Sequence, residues 1–489
     1  MARTMPGFPE GDLAVDNHHP DMETRMYEIQ VITPLFGGGV EAGNVDPEHP
    51  IRESSIRGHL RFWWRATKGA KYATIENLRQ REGEIWGSME NPSPVVIEVT
   101  TVNLDSPTSC ARYDPNNERH RYDLRWNSPF AGRENPLPYI LFPYQGKSPD
   151  NREPKDPSEM ITSCNFTLTV KIPSTKKMAI YRLEYNEQRN KKHLLPLCDE
   201  DDNLKKDVEA AVWAWVNFGG IGARTRRGCG ALFCTKIIPE SPDNFSITPP
   251  VSDPESIGLW YSSHLKNFGI DTSSPRGWPT LPKGFLFNRN GTRTEIQCWI
   301  ESVNLLKKFR QGRNLGRDYG NGNHPGRSRW PEAESLRTAV YPTGKRPGGI
   351  HPVDTKMRNI TAFPRVEFGM PIILEIRGER IKPTLQPSEE NDRMASPLLL
   401  RPLKCRDNLC ASMIVKLTTP PLTSAYVKSG NPHDDDSISG GITQTEITSS
   451  GNMLYEDSPM KGRCTSGSAL DAFIAFAQEK GNDFVEVPK

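Results

Sequence analysis

No stretch of this sequence approaches the roughly 18 consecutive apolar residues that a membrane-spanning helix requires, so no bilayer crossing and no membrane partner is expected. No apolar core of a secretory signal opens the chain. Cysteine is sparse and odd in number, nine in 489 residues, which argues for a reducing interior and the cytoplasm rather than a disulfide framework. Cys229 with Cys234 and Cys405 with Cys410 lack a second CxxC or a histidine pair at zinc spacing, so no metal is expected. No GK[ST] closes a glycine-rich loop, which removes a nucleoside-triphosphate cradle, and no cofactor is expected. A surplus of charge is missing too. With 62 basic against 60 acidic residues the net charge is +2, so any surface for an anionic polymer must be local.

Proline is abundant instead, 43 residues, and long loops between folded elements follow from it. Charge is segregated. Residues 51–71 hold Arg52, Arg57, Arg61, Arg65, Lys68 and Lys71 against Glu53 alone; residues 303–330 are similarly basic; residues 430–460 contain no Lys or Arg.

Residues 1–25 read as a disordered lead-in. From Met26, Tyr27, Ile29 and Val31 alternate with polar residues, the period of a half-buried strand. A helix follows the loop through 37–49, capped by Ser54 or Ser55, with Ile56, Leu60, Trp63 and Thr67 on one side and a C-cap near Gly69. A second helix runs to about Trp86, then a strand in PVVIEVTTV. Residues 104–160, with nine prolines, form a long insertion broken by a short strand YILF. Residues 165–172 alternate again, 204–218 form an amphipathic helix, and ALFCTKII closes the unit. Strand, helix, two strands, helix, strand is the order of a ferredoxin-like fold. The expected class is α+β with long irregular insertions, a ferredoxin-like unit followed by a second half for which a decorated copy of the same fold stays an open reading. The first covers 26–240, with a proline-rich linker at 238–257. The second covers 241–489, with helices near 294–310, 331–340 and 468–479, strands near 370–377 and 412–417, and a mobile loop at about 428–466.

Three constellations carry chemistry. On the first helix Arg57, Arg61, Arg65 and Lys68 form a basic stripe beside the apolar face, preceded by Arg52. Arginine binds phosphate oxygens bidentately, and lysine does not. Trp64 lies on the border, where its ring either packs under the core or offers a base a stacking surface; the bland alternative is a solvated charged face. The second is GGIGARTRRGCG, 219–230, in which Gly220 and Gly222 permit close backbone approach while Arg224, Arg226 and Arg227 supply charge. In the third, Arg310, Arg313 and Arg317 are spaced by Gly and Asn, the pattern of a basic loop that orders on a ligand. Catalytic signals are thin. His49, His59 and His120 lie near basic segments as candidate general bases, and Asp46 is a candidate to position a metal over a phosphodiester but precedes Pro47, where Asp more often forms a turn.

TPLFGGG (33–39), IRESSIRGHLRFWWRA (51–66) and GGIGARTRRGCGAL (219–232) together resemble signatures of the RAMP superfamily of CRISPR effector complexes. FWWRA, GRSRWPE and ASPLLLRPL are similar to the first-numbered subunit family of the type III-B (Cmr) assembly. The resemblance implies two ferredoxin-like (RRM-like) domains in tandem with long irregular insertions, and a non-catalytic subunit that holds the 3′ part of a guide RNA and helps capture target RNA in antiviral defence, beside other RAMP and polymerase-like subunits. It gives RNA contacts to Arg57, Arg61, Arg65 and the 219–230 loop, and places Gly37, Gly38 and Gly39 near the same cleft. A metal-dependent endoribonuclease of that superfamily and a protein–protein scaffold are the alternatives.

Overall fold

Period-two burial shapes the first sheet. Tyr27, Ile29 and Val31 of β1 (Met22–Val31) point inward, while Glu28 and Gln30 stay half-exposed. The computed structural model describes residues 22–39, 44–89, 91–117, 121–174, 181–186, 191–196, 204–239, 246–273, 275–288, 293–319, 326–340, 361–374, 382–429, 438–448 and 458–488. After β1 come α1 (Glu53–Ala66), α2 (Ile75–Trp86), β2 (Val96–Leu104), α3 (Leu137–Leu141), β3 (Cys164–Pro173), α4 (Leu204–Phe218) and β4 (Leu232–Ile238). The four strands make an antiparallel sheet in the order β4-β1-β3-β2. Registers Ile29 to Phe166 and Ile97 to Val170 put the apolar residues on one face, against the helices.

A second unit repeats the order of the sheet strands, with a helix ahead of the first strand and no helix between the second and third. It contains α5 (Pro254–Phe268), β5 (Phe285–Asn288), α6 (Glu295–Gln311), α7 (Glu332–Val340), β6 (Leu398–Lys404), β7 (Cys410–Lys416), α8 (Ala469–Gln478) and β8 (Phe484–Val487). Its antiparallel sheet runs β6-β7-β5-β8, so in both sheets the first strand lies between the fourth and the third, with the second outermost. Local chemistry starts its helices: Asp253 accepts from Ser256 N–H ahead of α5, and Thr294 with Gln297 forms a capping box ahead of α6. A smaller four-stranded sheet, Ile372–Ile373, Thr384–Gln386, Ser424–Ser429 and Ile438–Thr443, is added to this unit.

The two units share a core. The second sheet is apolar on both faces: Phe285, Phe287, Leu399, Leu403 and Met413 pack with Trp213, Phe218 and Tyr261 of α4 and α5, whereas Leu286, Leu398, Leu400 and Ile414 pack with α6 and α8. Sandwiched so, α4 is buried on every side from Ala210 to Phe218 rather than along one stripe as the sequence predicts.

Other expectations need correction. YILF is no strand: Leu137, Ile140 and Leu141 are buried at helical spacing in α3, whose start is held by Asn135 Oδ1 accepting from Leu137 N–H at 3.0 Å. Neither Ser54 nor Ser55 caps α1, because the extended backbone at Arg52 starts the helix at Glu53. The helix ends at Ala66, and Gly69 falls in a buried 3-10 turn, Lys68–Lys71. Of 238–257, residues 240–245 lie outside the described residues, Ile247 and Thr248 are buried, and α5 has begun by 254. Within 428–466 the described residues include the strand Ile438–Thr443 and a helix, Gln444–Thr448; 430–437 and 449–457 lie outside, as do 1–21 of the lead-in.

Candidate nucleic-acid interface

Ile56, Leu60, Trp63 and Trp64 bury one broad side of α1 and leave its arginines to the other. Arg61 Nε and Arg65 Nη1 both donate to Glu82 Oε1 of α2, at 2.7 and 2.6 Å. Glu82 is 5% exposed while the two guanidinium-bearing side chains stay about one-third exposed, so the acid lies beneath them. Arg57 Nη1 donates to Val95 O at 3.3 Å and, with Arg61, lines an open pocket of 610 Å³ against Pro92, Ser93 and Val96. Trp64 is 0% exposed and faces Tyr72, so the stacking surface considered for it is absent: the turn after α1 folds back over the ring. Lys68 Nζ donates to Phe268 O at 2.9 Å and Arg52 Nη2 to Gly38 O, so both cations serve the fold.

The glycines of 33–39 and 219–230 bring these two loops onto one another. Ala223 N–H donates to Phe36 O at 2.7 Å, Gly230 N–H to Pro34 O at 3.0 Å, and Thr33 Oγ1 to Gly228 O at 2.6 Å. At Gly222, with φ of 78°, a Cβ would stand 2.5 Å from Phe36 O, and at Gly37 one would meet the Cβ of Ala223 at 3.0 Å. Gly39 abuts Asn44, Gly220 abuts Gly230, and Gly38 also has positive φ. Close backbone approach, read as a device for a ligand, is made to the protein's own chain.

The arginines of that loop divide. Arg226 Nη1 donates to Ser396 O, with its guanidinium 5.2 Å from the Phe62 ring. Arg227 Nη1 and Nη2 donate to Leu398 O at 2.8 Å and Phe368 O at 3.2 Å, and its own carbonyl accepts from Trp299 Nε1. Both clamp the first unit to the second. Burial, then the charges of Arg310, Arg224 and Arg226, pushes the Arg227 guanidinium down to about 10. Arg224, in left-handed backbone, instead lies 5.3 Å from the Phe142 ring and 6.0 Å from Tyr144.

The third segment joins the second here. Arg310, at the end of α6, lies over Phe368 at 5.5 Å and presses electrostatically on Arg227 and Arg365. Arg365 is answered by buried Glu332, which accepts from its N–H at 2.7 Å and from Nε at 3.0 Å. Arg313 is exposed beside Tyr319, 6.0 Å from its ring. Arg317 closes a tight turn, its carbonyl accepting from Asn314 N–H at 2.6 Å, and pairs with Ser328. The described parts of this loop, to 319 and from 326, are held by such bonds and by Arg329 to Asp318 at 2.7 Å, where the sequence predicts a loop that orders only on a ligand.

Structure thus unites the second and third constellations at the seam between the units. The α1 stripe faces α2 and β2, apart from them. Among the described residues, Arg57, Arg224, Arg310, Arg313 and Arg317 form no ion pair, whereas Arg25, Arg61, Arg65, Arg81, Arg276, Arg293, Arg329 and Arg463 each meet a carboxylate. Sequence reasoning missed Phe142, Tyr319 and Arg365. For the first, the aromatic run YILFPY inside the insertion was the available signal.

Asp46 Oδ1 accepts from Glu48 and His49 N–H at 3.0 and 2.9 Å, the pattern of a turn former. His59 is held below its ordinary range by burial, and His120 lies outside the described residues. Among the described residues no group of three or more His, Cys, Asp or Glu could hold a metal ion, and no helix is long and apolar enough to cross a membrane.

The sequence model of the RAMP superfamily matches residues 28–233, which include all three signature stretches. The "CRISPR system Cmr subunit Cmr1-2" of Pyrococcus furiosus is 26% identical over 214 residues, 43% of this chain and 95% of that protein. The crystal structure of Cmr1 from Pyrococcus furiosus, in its apo form, gives a TM-score of 0.44 at 17% identity over 87% of this chain and 96% of that one. A cryo-EM structure of type III-B Cmr-beta bound to cognate target RNA gives 0.43 at 12% identity over 81% and 94%.

Proposed function

From the match of the RAMP superfamily model to residues 28–233, we propose that this chain is a non-catalytic RNA-binding subunit of a type III-B CRISPR ribonucleoprotein. In this reading it holds the 3′ part of the guide RNA and helps capture target RNA, in company with other RAMP and polymerase-like subunits. The two sheets with one strand order are, in the same reading, ferredoxin-like domains in tandem.

One observation carries it. Among the described residues Arg224 and Arg310 press on Arg227 at the seam, and neither they nor Arg313, three residues after Arg310, meet a carboxylate. Unanswered guanidinium groups beside one another repel. An anionic polymer removes that cost by supplying phosphates, which arginine grips bidentately. The turn-forming role of Asp46 supports a binding rather than a cleaving role. A scaffold docking through exposed tryptophans has little support: Trp64, Trp86, Trp213, Trp215, Trp299 and Trp330 are all fully buried.

Purification of the tagged protein from its host, with and without ribonuclease, followed by sequencing of the retained RNA, tests this. Short RNAs of repeat–spacer pattern accompanied by further subunits are expected. An RNA-free monomer would contradict it.

A further inference from the structure

The proline-rich insertion presents one ring to solvent at the arginine cluster. Phe142 begins the short turn Phe142–Tyr144 directly after α3, and it is 59% exposed although its neighbours Leu141 and Tyr144 are buried. A phenylalanine this exposed gains little from burial in the fold and leaves most of its ring surface open to another molecule. It is well supported. Leu137, Ile140 and Leu141 anchor α3 in the core, and Tyr144 stacks on Phe36 with centroids 4.6 Å apart and planes 6° from parallel. The ring therefore stands on a preordered base, with the Arg224 guanidinium 5.3 Å from its centroid.

The same pairing recurs in the loop that follows α6. Tyr319 is 65% exposed, with Arg313 6.0 Å from its ring, and Arg313 follows Arg310 by three residues. Two exposed rings thus each stand beside an arginine free of carboxylate, Phe142 at Arg224 and Tyr319 at Arg313, while Arg224 and Arg310 both press on Arg227. A nucleotide presents a flat apolar base and an anionic phosphate a few ångströms apart, and a ring beside a guanidinium offers a surface to each.

We propose that Phe142 and Tyr319 are stacking platforms for unpaired RNA bases, each working with its neighbouring arginine on the adjoining phosphate. This rests on the RNA-binding reading and adds which groups hold bases. It also gives the insertion a role, delivery of Phe142 to the seam.

Binding of labelled oligoadenylate to the full chain, followed by fluorescence anisotropy over a range of salt, tests the proposal. Phe142→Ala and Tyr319→Ala should each weaken binding roughly 5- to 100-fold, the range for loss of one stacked base. Stacking involves no counterion release, so the slope of log affinity against log salt should not change. Phe142→Tyr should bind like the wild type, and a fully abasic oligonucleotide should not distinguish Phe142→Ala from it. Both side chains are exposed, so unchanged circular dichroism melts are expected. Wild-type affinity for oligoadenylate in both alanine variants would overturn the stacking proposal and leave phosphate binding standing. A wild-type protein that takes up no RNA would overturn both.

Discussion

Arg61 donates through Nε to Glu82 Oε1 at 2.7 Å, and Arg65 shares the same oxygen. An RNA phosphate at this stripe competes with a built-in carboxylate, so Glu82 restrains the two arginines. Glu82→Gln keeps the shape and removes the charge. Since such partly exposed pairs are worth up to about 1 kcal/mol, single-stranded RNA should bind the variant up to about fivefold tighter. Filter binding checks this; unchanged or weaker binding would mean that the stripe meets no phosphate or that Glu82 positions it.

The units are held by arginines with no acid. Arg401, 1% exposed, donates to Gly219 O at 2.5 Å and Leu232 O at 2.9 Å, and burial holds its guanidinium down at about 9. Arg401→Ala orphans two buried carbonyls at about 1–3 kcal/mol each, a loss of roughly 3 kcal/mol or more. Urea titration should show a single transition for the wild type and a lowered midpoint for the variant. An unaltered midpoint would show that the units stand independently of this clamp.

His264 sets an acid limit. It is 2% exposed, stacks on Trp213 at 4.9 Å, and donates from Nδ1 to Trp260 O at 2.7 Å; burial lowers it to about 4. Between that value and the ordinary 6.5 the unfolded chain binds the extra proton, so stability is present above about pH 6.5 and is lost as pH falls toward 4. The loss is about 3 kcal/mol. Urea midpoints across this window should fall in the wild type and flatten in His264→Phe; parallel curves would remove His264 as the cause.

Trp64 is a core residue, and its substitution should behave accordingly. Trp64→Ala is expected to cost about 3–5 kcal/mol of stability, while the folded fraction binds RNA as the wild type does. Weaker RNA binding at full stability would restore the ring to the interface.

Legibility followed the range of the interactions involved. The alternation at 26–31 and 165–172 and the helical spacing at 56–67 were readable because each element buries one face and its pattern is local. β5 was not, since Phe285–Asn288 is buried throughout and its partner β8 lies at the chain's far end. Trp64 sat on the border of its helix wheel, and only the turn that folds over it decides its side. The basic segments were visible as charge, but their division was not. Arg226 and Arg227 become clamps because carbonyls at 368, 396 and 398 come to meet them, whereas Arg224 and Arg313 turn to exposed rings.

The salt dependence of single-stranded RNA binding tests the central claim most directly. Each phosphate neutralised contributes about −0.7 to the slope of log affinity against log salt, so four contacts give roughly −3. Arg224→Glu with Arg313→Glu, in a protein that melts like the wild type, should make the slope shallower by about 1.4. A flat dependence, or a slope unmoved by both reversals, would contradict phosphate binding at the seam.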